Sequence, residues 1–197
     1  MTVAPSRRRP TEALPWLALS LLVWGAGLTA QRLRATPTPD DALPSWQRSF
    51  RELGEADQRT YRHLRESLYE LERHRAETGR WPEPATLRDA AVEPFHEDER
   101  SPAREWTLRT HGVYATYVGV PRPPAGAARF VVVYVEPPPE VLAAGPPPPP
   151  DDEEHHTLAD GTPVHVTVWT QADGPEPVPD EVLAFPAAQG WVQRLAR

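Results

Sequence analysis

The residues best suited to chemistry lie together in one short segment, residues 151–165, with the sequence DDEEHHTLADGTPVH. Asp160-Gly161 within it is a strong signal for a two-residue β-hairpin turn, because that turn needs positive φ angles. If these two residues form the turn, His156 faces His165 across the hairpin, with Cβ atoms about 5 Å apart on one sheet face. Two imidazoles at that separation can reach one metal ion.

The register of this hairpin decides which histidine takes part. A three-residue turn would place His155, not His156, opposite His165, and the sequence leaves both registers open. In the first register Glu154 lies on the same face and offers a carboxylate as a third donor. Imidazole and carboxylate form an ordinary ligand set for zinc, and also for copper, nickel or iron(II). The alternative is a solvated acidic run beside ordinary surface histidines.

The absence of Cys narrows the ligand chemistry further, because it excludes thiolate zinc sites, iron–sulfur clusters and disulfides. We therefore expect a divalent-metal site, with zinc as the first candidate. His156 and His165 are the expected primary ligands, followed by His155 and Glu154.

An uncharged apolar segment near the N-terminus predicts where the domain sits. Residues 13–30 could form a helix about 27 Å long, enough for a hydrocarbon core, and the three Arg at 7–9 favour a cytoplasmic N-terminus. We expect a cytoplasmic stretch over 1–12, a single-pass inner-membrane anchor over 13–30, a linker over 31–44 and a periplasmic domain over 45–197. A cleaved signal peptide is the alternative, and it exports the same domain.

The elements that must position the histidines follow from hydrophobic periodicity. Apolar residues at helical spacing predict one long amphipathic helix over 45–78, with Gly54 as the place where it could break. Ser45 is the expected N-cap and Gly79 the expected C-terminal glycine. Pro186 to Arg197 suggests a short C-terminal helix.

Four strand-like runs follow the predicted helix, at 105–110, 113–120, 129–136 and 163–170. The third run is the most apolar and is expected in the centre of the sheet. A Pro-rich acidic loop over 137–153 precedes the hairpin. The pattern predicts an α+β fold: an N-terminal transmembrane helix, a long amphipathic helix and a small antiparallel β-sheet with Pro-rich loops.

Charge and motifs exclude several function classes. A net charge of −7 argues against a nucleic-acid partner, whose phosphates need a basic protein face. The sequence contains no nucleophile elbow, P-loop, dinucleotide-binding or zinc-protease motif. We expect a protein that is not an enzyme.

Three motifs carry a resemblance to a family of proteins. These are Trp81-Pro82, the aromatic run HGVYATYVG over 111–119, and the pattern DEEHH…LADGT…HV…W over 152–169. Together they resemble an uncharacterised family of bacterial proteins with one membrane helix and an exported domain, encoded beside zinc-type metal ABC importers. The resemblance implies a role in metal uptake, with the importer or its binding protein as a partner.

A second resemblance concerns the predicted helices and residues 77–82, ETGRWP, which are similar to the stem and first loop of type II secretion pseudopilins. It implies a pilin-like stem-and-sheet fold and a structural subunit of an envelope complex. Pseudopilins carry a Gly before their processing site, whereas RRRPTE precedes the apolar segment here. A non-catalytic scaffold or interaction module is the further alternative to metal binding.

Overall fold

The computed structural model describes residues 43–96, 103–122, 126–144, 150, 152–172 and 184–197. The predicted membrane anchor and most of the linker lie outside these residues. Within the part of the chain that the structure describes, none of the helices combines the length and the apolarity that a membrane crossing needs.

The main helix, α1, spans Glu55–Thr78 and begins later than predicted. A short strand, β1 (Gln47–Ser49), and a 3-10 turn (Phe50–Glu52) come before it, so the expected helix start at Ser45 is wrong. The reason is a distant partner: β1 pairs in parallel with a strand near the C-terminus. The break near Gly54 is confirmed, and Gly79 ends α1 with a φ of 74°, as predicted.

The sheet has seven strands and is mixed rather than wholly antiparallel. After β1 its strands are β2 (Arg104–His111), β3 (Tyr114–Pro121), β4 (Arg129–Val135), β5 (His155–Thr157), β6 (Pro163–Gln171) and β7 (Val192–Leu195). Their order is β1-β7-β6-β4-β3-β2, with β5 also paired to β6. The α+β class is therefore confirmed, and β4 lies inside the sheet as expected. Only the parallel β1–β7 pair departs from the antiparallel prediction.

Two other short segments differ from the prediction. The C-terminal segment forms a 3-10 turn (Pro186–Gln189) and then β7 instead of a helix, because β6 offers a free edge for antiparallel pairing. The Pro-rich loop contains a short helix, α3 (Pro139–Ala143). Helix α2 (Pro84–Asp89) connects α1 to the sheet.

The two faces of the sheet carry separate hydrophobic cores. On the face that we call the helix face, buried side chains of α1 pack against buried side chains of β3, β4 and β6. The α1 residues include Tyr61, Leu64, Leu68 and Leu71, and the strand residues include Tyr117, Phe130, Tyr134, Val164 and Val166. The opposite face, which we call the second face, holds Val118, Val131, Val133, Trp169 and Trp191. Because side chains alternate along a strand, neighbouring residues of β6 belong to different faces.

Candidate metal site

The hairpin that carries the histidines uses the longer of the two turns. Leu158 N–H donates to the Thr162 carbonyl at 2.8 Å, which closes a three-residue loop over 159–161. Gly161 supplies the positive φ, 88°, that such a loop needs. His155 is therefore the partner of His165, as the three-residue alternative predicts, whereas His156, the first choice as a primary ligand, is not.

The register decides which of the two adjacent histidines shares a sheet face with His165. His156 lies opposite Val164, which is buried in the helix-face core, so the His156 side chain is on the helix face. His155 and His165 consequently share the second face. The structure thus brings together two of the three predicted histidine ligands.

Four side chains form the second-face cluster: Asp152, Glu154, His155 and His165. The two imidazole rings lie 4.8 Å apart between centroids. His165 Nε2 is 3.1 Å from Glu154 Oε2, and His155 Nδ1 is 2.8 Å from Asp152 Oδ1. Each histidine therefore has a carboxylate on one ring nitrogen. Glu154, expected as a third donor in the two-residue register, lies beside His165 in the observed one.

Asp152 is a member of the cluster that the spacing argument did not single out. Its Oδ1 accepts the backbone N–H groups of Glu154 and His155 at 2.9 and 3.0 Å, which shapes the chain as it enters β5. The hydrogen bond with the His155 ring, followed by these backbone bonds, lowers the pKa of Asp152 below its ordinary value. The sequence signal for this role is an Asp, a common turn-forming residue, three residues before the first His of β5.

Gln193 of β7 is a second residue that sequence reasoning missed. Its Nε2 donates to Glu154 Oε1 at 2.6 Å, while the side chain itself is almost fully buried. The sequence predicts a helix where β7 forms, and therefore no local pattern places this amide beside the hairpin. The contact fixes one carboxylate oxygen of Glu154 and leaves the other toward His165.

The cluster is partly open to solvent. The exposed fractions of the side chains are 38% for His165, 24% for Glu154, 30% for His155 and 45% for Asp152. An ion could therefore reach these donors without unfolding the domain.

His156, the first of the predicted ligands, belongs to a different contact. Its Nδ1 lies 2.6 Å from Glu72 Oε1 of α1, on the helix face. Glu72 also lies 3.5 Å from the hydroxyl of Tyr134, whose pKa is raised well above its ordinary value because the ring is buried. His156 thus fastens β5 to the helix.

The donor geometry is partly prepared for a metal. Bond lengths of about 2.0–2.1 Å to zinc place two tetrahedral ligand atoms about 3.3 Å apart. The 3.1 Å between His165 Nε2 and Glu154 Oε2 is close to this value. In the described ranges, however, no group of three or more His, Cys, Asp or Glu side chains is gathered as a metal site.

The comparison with known families covers the whole described sheet. Residues 47–197, which include every described strand, match the model of a family of unknown function (DUF6162). The chain belongs to this family. The expectation of an uncharacterised family is confirmed, whereas the links to metal importers and to the membrane stay predictions. No curated protein and no solved structure matches the chain.

Proposed function

We propose that the domain binds a divalent metal ion, with zinc as the first candidate, at the second-face cluster. The observation that carries the proposal is the pairing of His155 with His165 beside Glu154. These are three donors of the types that zinc prefers, on one face and partly exposed.

The contacts suggest a role for each side chain. His165 Nε2 and Glu154 Oε2 would be the first two ligands, with the ion replacing the proton between them. His155 would be the third ligand through Nε2, since Asp152 already holds its Nδ1. A carboxylate on the second nitrogen of a ligating histidine is a common way to orient the ring. Water would complete the set.

The cellular role that we propose is support of metal uptake at the envelope. The domain would be anchored in the inner membrane by residues 13–30, face the periplasm, and exchange metal with an ABC importer or its binding protein. The resemblance of the hairpin motif to importer-associated proteins supports this role. The partial exposure of His165 and His155 also supports it, because a partner needs access to the ion.

Zinc titration of the full chain in detergent, in competition with a chelating indicator dye, tests the proposal. We expect one strong site per chain. The double variant His155→Ala/His165→Ala should weaken it by at least tenfold, and Asp152→Asn by about tenfold through loss of ring orientation.

His156→Ala is the matched control, because it removes an adjacent imidazole that faces the helix. It should leave the zinc affinity unchanged within about twofold, since it removes no proposed ligand. Absence of binding, or an equal loss in His156→Ala and in the double variant, would refute the assignment.

A second candidate function is a non-catalytic scaffold or pilin-like subunit of an envelope complex. The observation that favours it is that His155, His156 and His165 each contact a carboxylate. A structural role, in which these contacts hold β5 in place, accounts for them without a metal ion. In that case a partner captured by crosslinking in cells should persist after treatment with a chelator. A metal-dependent partner should be lost.

A further inference from the structure

A buried amide connects the second-face cluster to the first strand of the sheet. Gln193, on β7, is only 2% exposed. Its Nε2 donates to Glu154 Oε1 at 2.6 Å, and its Oε1 accepts from Gln47 Nε2 at 2.9 Å. The two ends of one side chain therefore join a carboxylate of the candidate site to β1.

The strand at the other end of this connection is weakly held by its own pairing. β1 has three residues, and its sheet partner is β7 in parallel, an arrangement slightly less stable per residue than antiparallel pairing. The Trp46 ring stacks on Trp169 at 5.8 Å, and the Trp46 carbonyl accepts from Gln193 N–H at 2.9 Å. Gln193 thus contacts the start of β1 through both its backbone and its side chain.

We infer that metal binding at the second-face cluster is coupled to the pairing of β1 with β7, with Gln193 as the positioning residue. The inference rests on the proposed function. An ion bound through Glu154 Oε2 leaves Oε1 to accept from Gln193. The bound ion also restricts the Glu154 carboxylate to one orientation. Because Gln193 donates to this carboxylate, its buried amide is then held in the position that accepts from Gln47.

The coupling must act in both directions. If bound metal favours the paired state of β1, then pairing of β1 raises the affinity for metal by the same factor. Because β1 is the first strand of the described domain, metal occupancy would be sensed at the N-terminal end of that domain.

Hydrogen–deuterium exchange of the full chain, followed in peptides covering Gln47–Ser49 with and without zinc, measures the coupling. Zinc should slow exchange of these amides by about fivefold or more. Gln47→Leu, at a partly exposed position, should abolish this slowing and weaken zinc binding by the same factor. Gln193→Leu should also abolish the slowing and weaken zinc binding. If Gln193→Leu does not fold because the position is buried, Gln47→Leu still provides the test.

Gln171→Leu is the matched control, since this amide contacts the Gln189 carbonyl at 3.1 Å and not the cluster. It should keep both zinc binding and the slowed exchange. The two ways to fail are distinct. A full chain that binds no zinc refutes the proposed function and the coupling with it. Zinc binding with unchanged β1 exchange, or slowed exchange that survives in Gln47→Leu, refutes the coupling alone.

Discussion

Two charged clusters lie on opposite sides of the same sheet, and they differ in how much water reaches them. The buried cluster consists of Arg104 on β2 with Asp57 and Thr60 on α1. Its Arg104 and Asp57 side chains are 2% and 13% exposed. In the second-face cluster, the His165 and Glu154 side chains are 38% and 24% exposed. Both clusters pair a nitrogen base with a carboxylate, but one pair is buried and the other is partly exposed to solvent.

The buried cluster has the properties of a structural element. Arg104 donates to Asp57 and, at 2.8 Å, to Thr60 Oγ1, and its guanidinium lies 5.0 Å from the Phe130 ring centre. Asp57 also accepts the Ala128 N–H at 3.0 Å. Burial lowers the pKa of Arg104, and the nearby Asp57 opposes this shift. Removing the partner of a buried charge has a large free-energy cost, whereas a partly exposed histidine can exchange its partner for water at a small cost.

The largest effect is expected from breaking the buried pair. Asp57→Ala leaves the Arg104 guanidinium buried without its carboxylate, so we expect a loss of about 3–5 kcal/mol in the free energy of unfolding. Urea denaturation followed by tryptophan fluorescence measures this loss.

Glu55→Ala serves as the control on the same helix. Glu55 pairs with Arg59 at 3.4 Å, but its side chain is 89% exposed, so its removal should cost less than about 0.5 kcal/mol. Equal costs for Asp57→Ala and Glu55→Ala would show that burial does not distinguish the two kinds of charge.

Local patterns predicted most of the elements that depend on neighbours in sequence. The apolar periodicity, Gly54 and Gly79 located α1, and the apolar run at 129–136 predicted an inner strand. The errors occur at both ends of the described unit, where β1 and β7 pair with each other and β7 also pairs with β6. These strands have three and four residues, so long-range pairing determines their conformation more than local propensity does.

The candidate site was predicted in composition and not in register. His165, His155 and Glu154 lie together, but the sequence leaves open whether the turn at Asp160-Gly161 has two residues or three, and the loop contains three. A shift of one residue moves every side chain of a strand to the other face. The Gln193 contact depends on a strand 28 residues beyond His165 in sequence, which no local pattern reveals.

The adjacent histidines of β5 should differ in their effect on stability. His156 Nδ1 is 2.6 Å from Glu72, whose side chain is 15% exposed, so His156→Ala leaves a largely buried carboxylate without this partner. We expect a loss of about 1–2 kcal/mol without metal. His155→Ala removes a contact with the 45% exposed Asp152 and should cost less than about 0.5 kcal/mol.

Urea denaturation in the presence of a chelator gives both values for the histidine variants. Addition of zinc should then stabilise His156→Ala and leave His155→Ala nearly unchanged, because only the second variant lacks a proposed ligand. A larger cost for His155→Ala in the chelator would contradict the assignment of the two histidines to different faces.

The smallest effect is expected at the turn that sets the register. The Thr162 N–H donates to Asp160 Oδ1 at 2.9 Å, and this bond lowers the pKa of Asp160 below its ordinary 3.8. Because the folded state favours the charged carboxylate, its contribution to stability is complete above the ordinary pKa and is lost as the pH falls through the lowered value. Asp160→Ala should cost less than about 0.5 kcal/mol at neutral pH.

Unfolding experiments on the wild type and Asp160→Ala between pH 2 and 7 test this sign. The difference between their free energies of unfolding should be constant down to about pH 4 and should then shrink with falling pH. A difference that grows on acidification would mean that the protonated carboxyl, and not the carboxylate, holds the Thr162 N–H.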